Sequence, residues 1–129
     1  MIVDFKGIHP KVEPTAFIAE NAMVIGDVEI GPGTNIWFHS IVRGDLNYIR
    51  IGSNCNIQDA CVLHVEKDLY PLFLGDEVVL GHRVVVHGCK IGRGGADWNW
   101  CRVLSHTQYP HTTKNPCPGK PSQTGSFHQ

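Results

Sequence analysis

An all-β solenoid, a parallel β-helix, is the fold class this 129-residue sequence predicts, and two observations predict it. An aliphatic residue recurs every six positions: Val12, Ile18, Val24, Ile30, Ile36 and Val42, then Ile51, Ile57 and Leu63, then Leu74, Leu80 and Val86. A period of six fits neither the 3.6-residue rhythm of an amphipathic helix nor the alternation of a hairpin strand. It is the hexapeptide rhythm of a β-helix, in which each short strand contributes one inward aliphatic and then turns a corner. The second observation is what surrounds the aliphatics. Small or β-branched residues often stand four places later (Ala16, Ala22, Val28, Thr34), and Gly31, Gly52, Gly75 and Gly81 follow the aliphatic directly.

Hexapeptide chains of this kind resemble the left-handed parallel β-helix, a triangular prism with three hexapeptides to a coil. That resemblance, not the spacing, supplies the three. The coils are then 12/18/24, 30/36/42, 51/57/63 and 74/80/86, and three interior columns follow. The first is Val12, Ile30, Ile51 and Leu74; the second Ile18, Ile36, Ile57 and Leu80; the third Val24, Val42, Leu63 and Val86. A three-residue slip after Val42 and the longer interruption "VEKDLYPLF" both fall between coils, where a loop can be extruded without breaking a column.

The pattern stops after Gly92, so the expected division is a hexapeptide-repeat domain over 1–92 and an irregular, non-repeat C-terminal tail over 93–129. The tail is rich in Pro, Gly, Thr, Ser and His and has no periodicity, which reads as disorder. It also reads as out of frame. The codons for Asp97-Trp98-Asn99-Trp100, taken from their second bases, give Ile or Thr, Gly, Ile or Thr, Gly. That places a candidate inward residue six after Ile91.

Composition excludes several classes. The formal net charge of −1 leaves no electrostatic footprint for nucleic acid. No apolar run reaches a membrane span, and "MIVDFKGIHP" lacks a basic segment followed by an apolar one, so no membrane is expected and a cytoplasmic location is. Cys55, Cys61, Cys89, Cys101 and Cys117 are odd in number with no CxxC pair, and are expected to be structural thiols.

Phase also places the histidines. His64 follows Leu63 and His87 follows Val86, so both occupy one face of successive coils, about 4.8 Å apart by strand spacing. Arg43, after Val42, belongs to the same column. His82 stands two places after Leu80 and points off a different face, where it cannot join the other two within one chain. His82 of a neighbouring subunit could.

"RGDLNYIRIGSNCNIQDACVLH" and "GHRVVVHGCKIG" resemble the γ-class carbonic anhydrases and their relatives, over residues 8 to about 92. The resemblance implies a homotrimer in which His64 and His87 of one subunit and His82 of the next hold one metal, Zn²⁺ first and Fe²⁺ or Co²⁺ also fitting. It implies reversible hydration of CO₂ to bicarbonate. Gln58 would orient the metal-bound hydroxide, Asn56 would help place substrate, and Arg43 with Asp45 would clamp bicarbonate or bridge subunits. The family's acidic loop is replaced by the short "VEKDLYPLF", with only Glu66 and Asp68 to substitute, and Leu46 stands where members have a second glutamate. Metal binding is therefore better founded than turnover. The alternatives are a hexapeptide-type acyltransferase, with one histidine as general base, and a non-catalytic metal-binding or assembly protein.

Overall fold

The structure is a computed structural model and describes residues 1–96 and the backbone of residues 102–103. Its strands are β1 (Ile2–Val3), β2 (Lys11–Val12), β3 (Phe17–Ile18), β4 (Met23–Ile30), β5 (Asn35–Ile36), β6 (Ile41–Ile51) and β7 (Asn56–Ile57). Then come β8 (Val62–His64), β9 (Leu72–Leu74), β10 (Val79–Leu80), β11 (Val85–His87), β12 (Cys89–Ile91), a 3₁₀ turn at Arg93–Gly95 and β13 (Arg102–Val103). From β1 to β12 every strand pairing is parallel, as a left-handed β-helix requires. No described helix is long and apolar enough to cross a membrane.

The three columns stand in the predicted register. Val12 pairs with Ile30, Ile30 with Ile51, and Ile51 with Leu74. Ile18, Ile36, Ile57 and Leu80 form the second column, and Val24, Val42, Leu63 and Val86 the third. Most of these side chains are wholly buried and pack into one core. The first interruption is a bulge: β4 and β6 run in register to Gly26 and Gly44, then resume at Val28 and Ile49. The residues in excess, around Asp45–Tyr48, are pushed outward while the column continues. The second interruption closes as a turn in which Glu66 N donates to Tyr70 O at 2.9 Å.

Corners explain the small residues. A Cβ on Gly31 would come within 2.5 Å of Gly52 O, so successive corners meet backbone to backbone and admit only glycine there. Polar side chains at buried corners satisfy the carbonyls of the next coil. Thr34 Oγ1 donates to Gly52 O at 2.7 Å, Ser40 Oγ to Gln58 O at 2.6 Å, and the thiols of Cys55 and Cys61 to Gly75 O and Gly81 O at 3.0 Å. Burial raises both thiols, Cys61 to about 11, so these are inert, as expected of structural cysteines. Cys89 departs from that expectation: it is disulfide-bonded.

Beyond Ile91 the 3₁₀ turn ends the last coil, and β13 pairs antiparallel with β11, Val103 opposite Val86. The rest of the expected tail, residues 97–101 and 104–129, lies outside the described residues.

A candidate metal site in two halves on two faces

His64 ends β8 and His87 ends β11, and the two are register partners. Each follows a buried aliphatic, so strand alternation turns it outward. Their ring centroids are 5.1 Å apart at an interplanar angle of 86°. Two imidazoles sharing one tetrahedral ion at ordinary zinc–nitrogen distances would have centroids about 5.2 Å apart. The separation is that of two ligands of one ion and equally that of an edge-to-face ring pair.

Three charged side chains surround it. Asp45, in the bulge of β6, places Oδ1 2.8 Å from His64 Nε2 and accepts from its neighbour's amide, Leu46 N, at 2.6 Å. Burial works to raise this carboxyl, but the hydrogen bonds from His64 and Leu46 and the charges of His64 and Arg43 outweigh it and hold it below its ordinary value. Arg43, in the row expected of it, lies with Nε 3.5 Å from Asp45 Oδ2 and Nη2 3.5 Å from His64 Nδ1. Glu66 opens the 66–70 turn, and its Oε1 stands 3.6 Å from His87 Nε2.

The other face holds the remaining candidates. His82, in the turn after β10, has Nδ1 3.9 Å from Asp59 Oδ1 and is well exposed. With Trp37, Asn56, Gln58 and Asp59 it lines an open cleft of about 270 Å³. Strand β7 positions two of these: Asn56 N donates to Val78 O at 2.9 Å and Gln58 N to Leu80 O at 3.0 Å. Asn56 Oδ1 is buried and accepts no hydrogen bond among the described residues. Trp37 is held by donation from Nε1 to Asn35 Oδ1 at 2.7 Å and by the ring of Phe17 at 5.0 Å.

The seven predicted residues thus separate into Arg43, Asp45, His64 and His87 on one face and Asn56, Gln58 and His82 on another. Among the described residues, no group of three or more His, Cys, Asp or Glu side chains of one chain could hold a metal ion. Trp37 and Asp59 are not among the sequence candidates. Phase could have found Trp37, which follows Ile36 as Gln58 follows Ile57.

No protein-family model matches the chain. Over 87 residues it is 45% identical to gamma carbonic anhydrase 1, mitochondrial, of Arabidopsis thaliana, covering 64% of this chain and 32% of that protein. It is 42% identical over 91 residues to a carbonic anhydrase of Geobacillus kaustophilus, covering 70% of this chain and 50% of the relative. The solved structure of a hexapeptide transferase family protein from Anaplasma phagocytophilum is similar with a TM-score of 0.67 and 40% identity, over 70% of this chain and 52% of that one. The chain thus spans about a third to a half of the length of these proteins.

Proposed function

The repeat region of this chain belongs to the γ-carbonic-anhydrase-like hexapeptide-repeat family, and from that premise we propose that it hydrates CO₂ reversibly at a metal site shared between copies of a trimer. The observation that carries the reading is the division of the histidines. His64 and His87 are paired at ligand-like separation on one face, and His82 lies on another. Bringing the second face of one copy against the first face of the next supplies the third imidazole and leaves a fourth position open, the mark of a catalytic ion. The bound ion, zinc first, would supply a Lewis acid and lower the pKa of its water to about 7, the behaviour known of zinc in carbonic anhydrases.

The chain's own residues have separable tasks. Asp45 holds His64 in one orientation until the ion arrives and stays beside it as a carboxylate. Arg43 puts a permanent cation where bicarbonate charge collects. Gln58 and Asn56 arrive with His82, lining the same cleft with two amides that can donate and accept. The test joins oligomer mass, metal content and CO₂ hydration on one preparation. A trimer with one metal per chain and hydratase activity is expected, and a monomer hydrating CO₂ as fast would overturn the shared site.

One observation favours a second reading, an acyltransferase. His82 lies beside the Asp59 carboxylate in a cleft far larger than CO₂ requires, an arrangement suited to a general base. Release of free thiol from acetyl-CoA with an amine or alcohol acceptor, abolished in His82→Ala and unaffected by chelation, would establish it in place of hydration.

A further inference from the structure

On the reading above that His82 of one copy completes the His64–His87 site of the next, we propose that the outward row Met23, Ile41 and Val62 lines the threefold axis of the trimer, packed against the same row of the two other copies. Met23 pairs with Ile41 and Ile41 with Val62, and Val85 continues the row one coil further. Each stands one residue before an inward aliphatic, so alternation turns it outward on the face that bears the two imidazoles. Ile41 is 36% exposed, and Met23 and Val62 are half-buried. An outward row elsewhere on the prism, Lys11, Glu29, Arg50, Phe73 and Lys90, is mostly charged. An unbroken apolar row on an outward face marks a surface that meets another protein.

Symmetry selects the partner. In a closed ring of three, each copy gives one patch to each neighbour, and the surface between those patches faces the axis. Here the patches are the corner of His82 and the row of His64 and His87. That corner is a stack: Arg83 N donates to Asp59 O and Ala60 N to Phe38 O, both at 2.9 Å, so His82, Asp59 and Phe38 follow one another down the prism. Past the corner residue Ala60, only Val62 turns outward before His64, because Cys61 and Leu63 are buried. One coil below, Ile41 has the same place between buried Ser40 and Val42, and below that Met23 between buried Ala22 and Val24. The strip that must face the axis is therefore the apolar row.

Charge supports a second copy of this chain on that surface. Asp59 lies one coil beneath His82 and Arg43 one coil beneath His64, each with its side chain about half exposed. With the prisms side by side, docking that brings His82 to the imidazole pair also brings Asp59 toward Arg43 of the next copy, opposite charges meeting. One chain thus carries both halves of the contact. Aliphatic side chains gather at the axis, where water is excluded from them, and the charges lie farther out.

At a symmetry axis each residue of the row meets its own counterparts, so like charges placed there repel. Ile41→Glu and Ile41→Lys, each alone, are expected to raise the concentration at which trimers dissociate by roughly a hundredfold or more, read by analytical ultracentrifugation. Mixed, the two should form trimers again, because the introduced charges attract, and recovery on mixing also shows that both variants fold. Phe73→Glu, which puts the same acid in an outward row on another face, should remain trimeric. Trimers of either Ile41 variant alone, as stable as wild type, would overturn the proposal. So would monomers that stay apart on mixing, or dissociation by Phe73→Glu as large as by Ile41→Glu. An Ile41→Glu chain that stays trimeric and still hydrates CO₂ removes this proposal and leaves the shared site standing. A monomeric wild type removes the shared site itself, a distinct failure.

Discussion

Arg43 and Asp45 sit side by side on the His64 face, yet their removal should have different consequences. Arg43 touches His64 only at 3.5 Å, through Nη2 to Nδ1, and leaves the facing of His64 toward His87 to backbone register. Arg43→Ala is expected to keep metal at one per chain while lowering CO₂ hydration about tenfold or loosening the trimer; metal analysis with stopped-flow assay separates these. Buried thiols offer a second check at this scale. Because burial lifts Cys61 to about 11, its thiolate is scarce at pH 8. A thiol reagent should leave Cys55 and Cys61 unmodified in the folded protein and modify both in denaturant. Modification of the native chain at the rate of a free thiol would show that the corner carbonyl bonds do not hold.

Coils are the elements here, and each strand matters through its column. Ile57 is wholly buried between Ile36 and Leu80, so Ile57→Ala should cost about 2–5 kcal/mol. Ile18, in the end coil and only partly buried, should cost less when truncated alike. Chemical denaturation of the two variants checks the order. Corners carry a pH dependence of their own. Asp76 Oδ1 accepts from Ser53 N at 2.9 Å across successive corners, and this bond first, the Ser53 side chain next and Arg93 last hold the carboxyl below its ordinary value. A carboxyl lowered by folding stabilises the fold at neutral pH. That contribution fades as pH falls from the ordinary carboxylate range through the lowered value. The denaturation midpoint should fall over that range in the native chain and fall less in Asp76→Asn.

At the scale of the molecule, the two half-sites predict complementation. A His82→Ala chain keeps His64 and His87, and a His64→Ala/His87→Ala chain keeps His82. Dissociated and reassembled together, they should regain hydratase activity that neither has alone; mixtures as inactive as their parents would sink the shared site. The tail makes a separate prediction at this scale. Reading the gene one base along from about codon 93 should open further sixfold repeats, and nucleotide sequencing decides it.

Sequence phase determined the β-helix and, with the three hexapeptides to a coil that the resemblance supplies, the membership of all three columns and the separation of His82 from His64 and His87. The reason is that a period of six leaves each side chain only one face to occupy once the coils are stacked. Phase could also say that the interruptions lie between coils, since a column broken mid-coil would bury the wrong residues. What an extruded segment does with its own side chains has no period to read. Only the tertiary structure decided that the bulge of β6 turns Asp45 onto His64, and that the 66–70 turn folds back on Gly88 to set Glu66 beside His87. The same holds for the cleft around His82. Spacing puts Trp37 and Gln58 in one row, after Ile36 and Ile57, but only the structure shows that Asn56, Asp59 and His82 line one cleft with them.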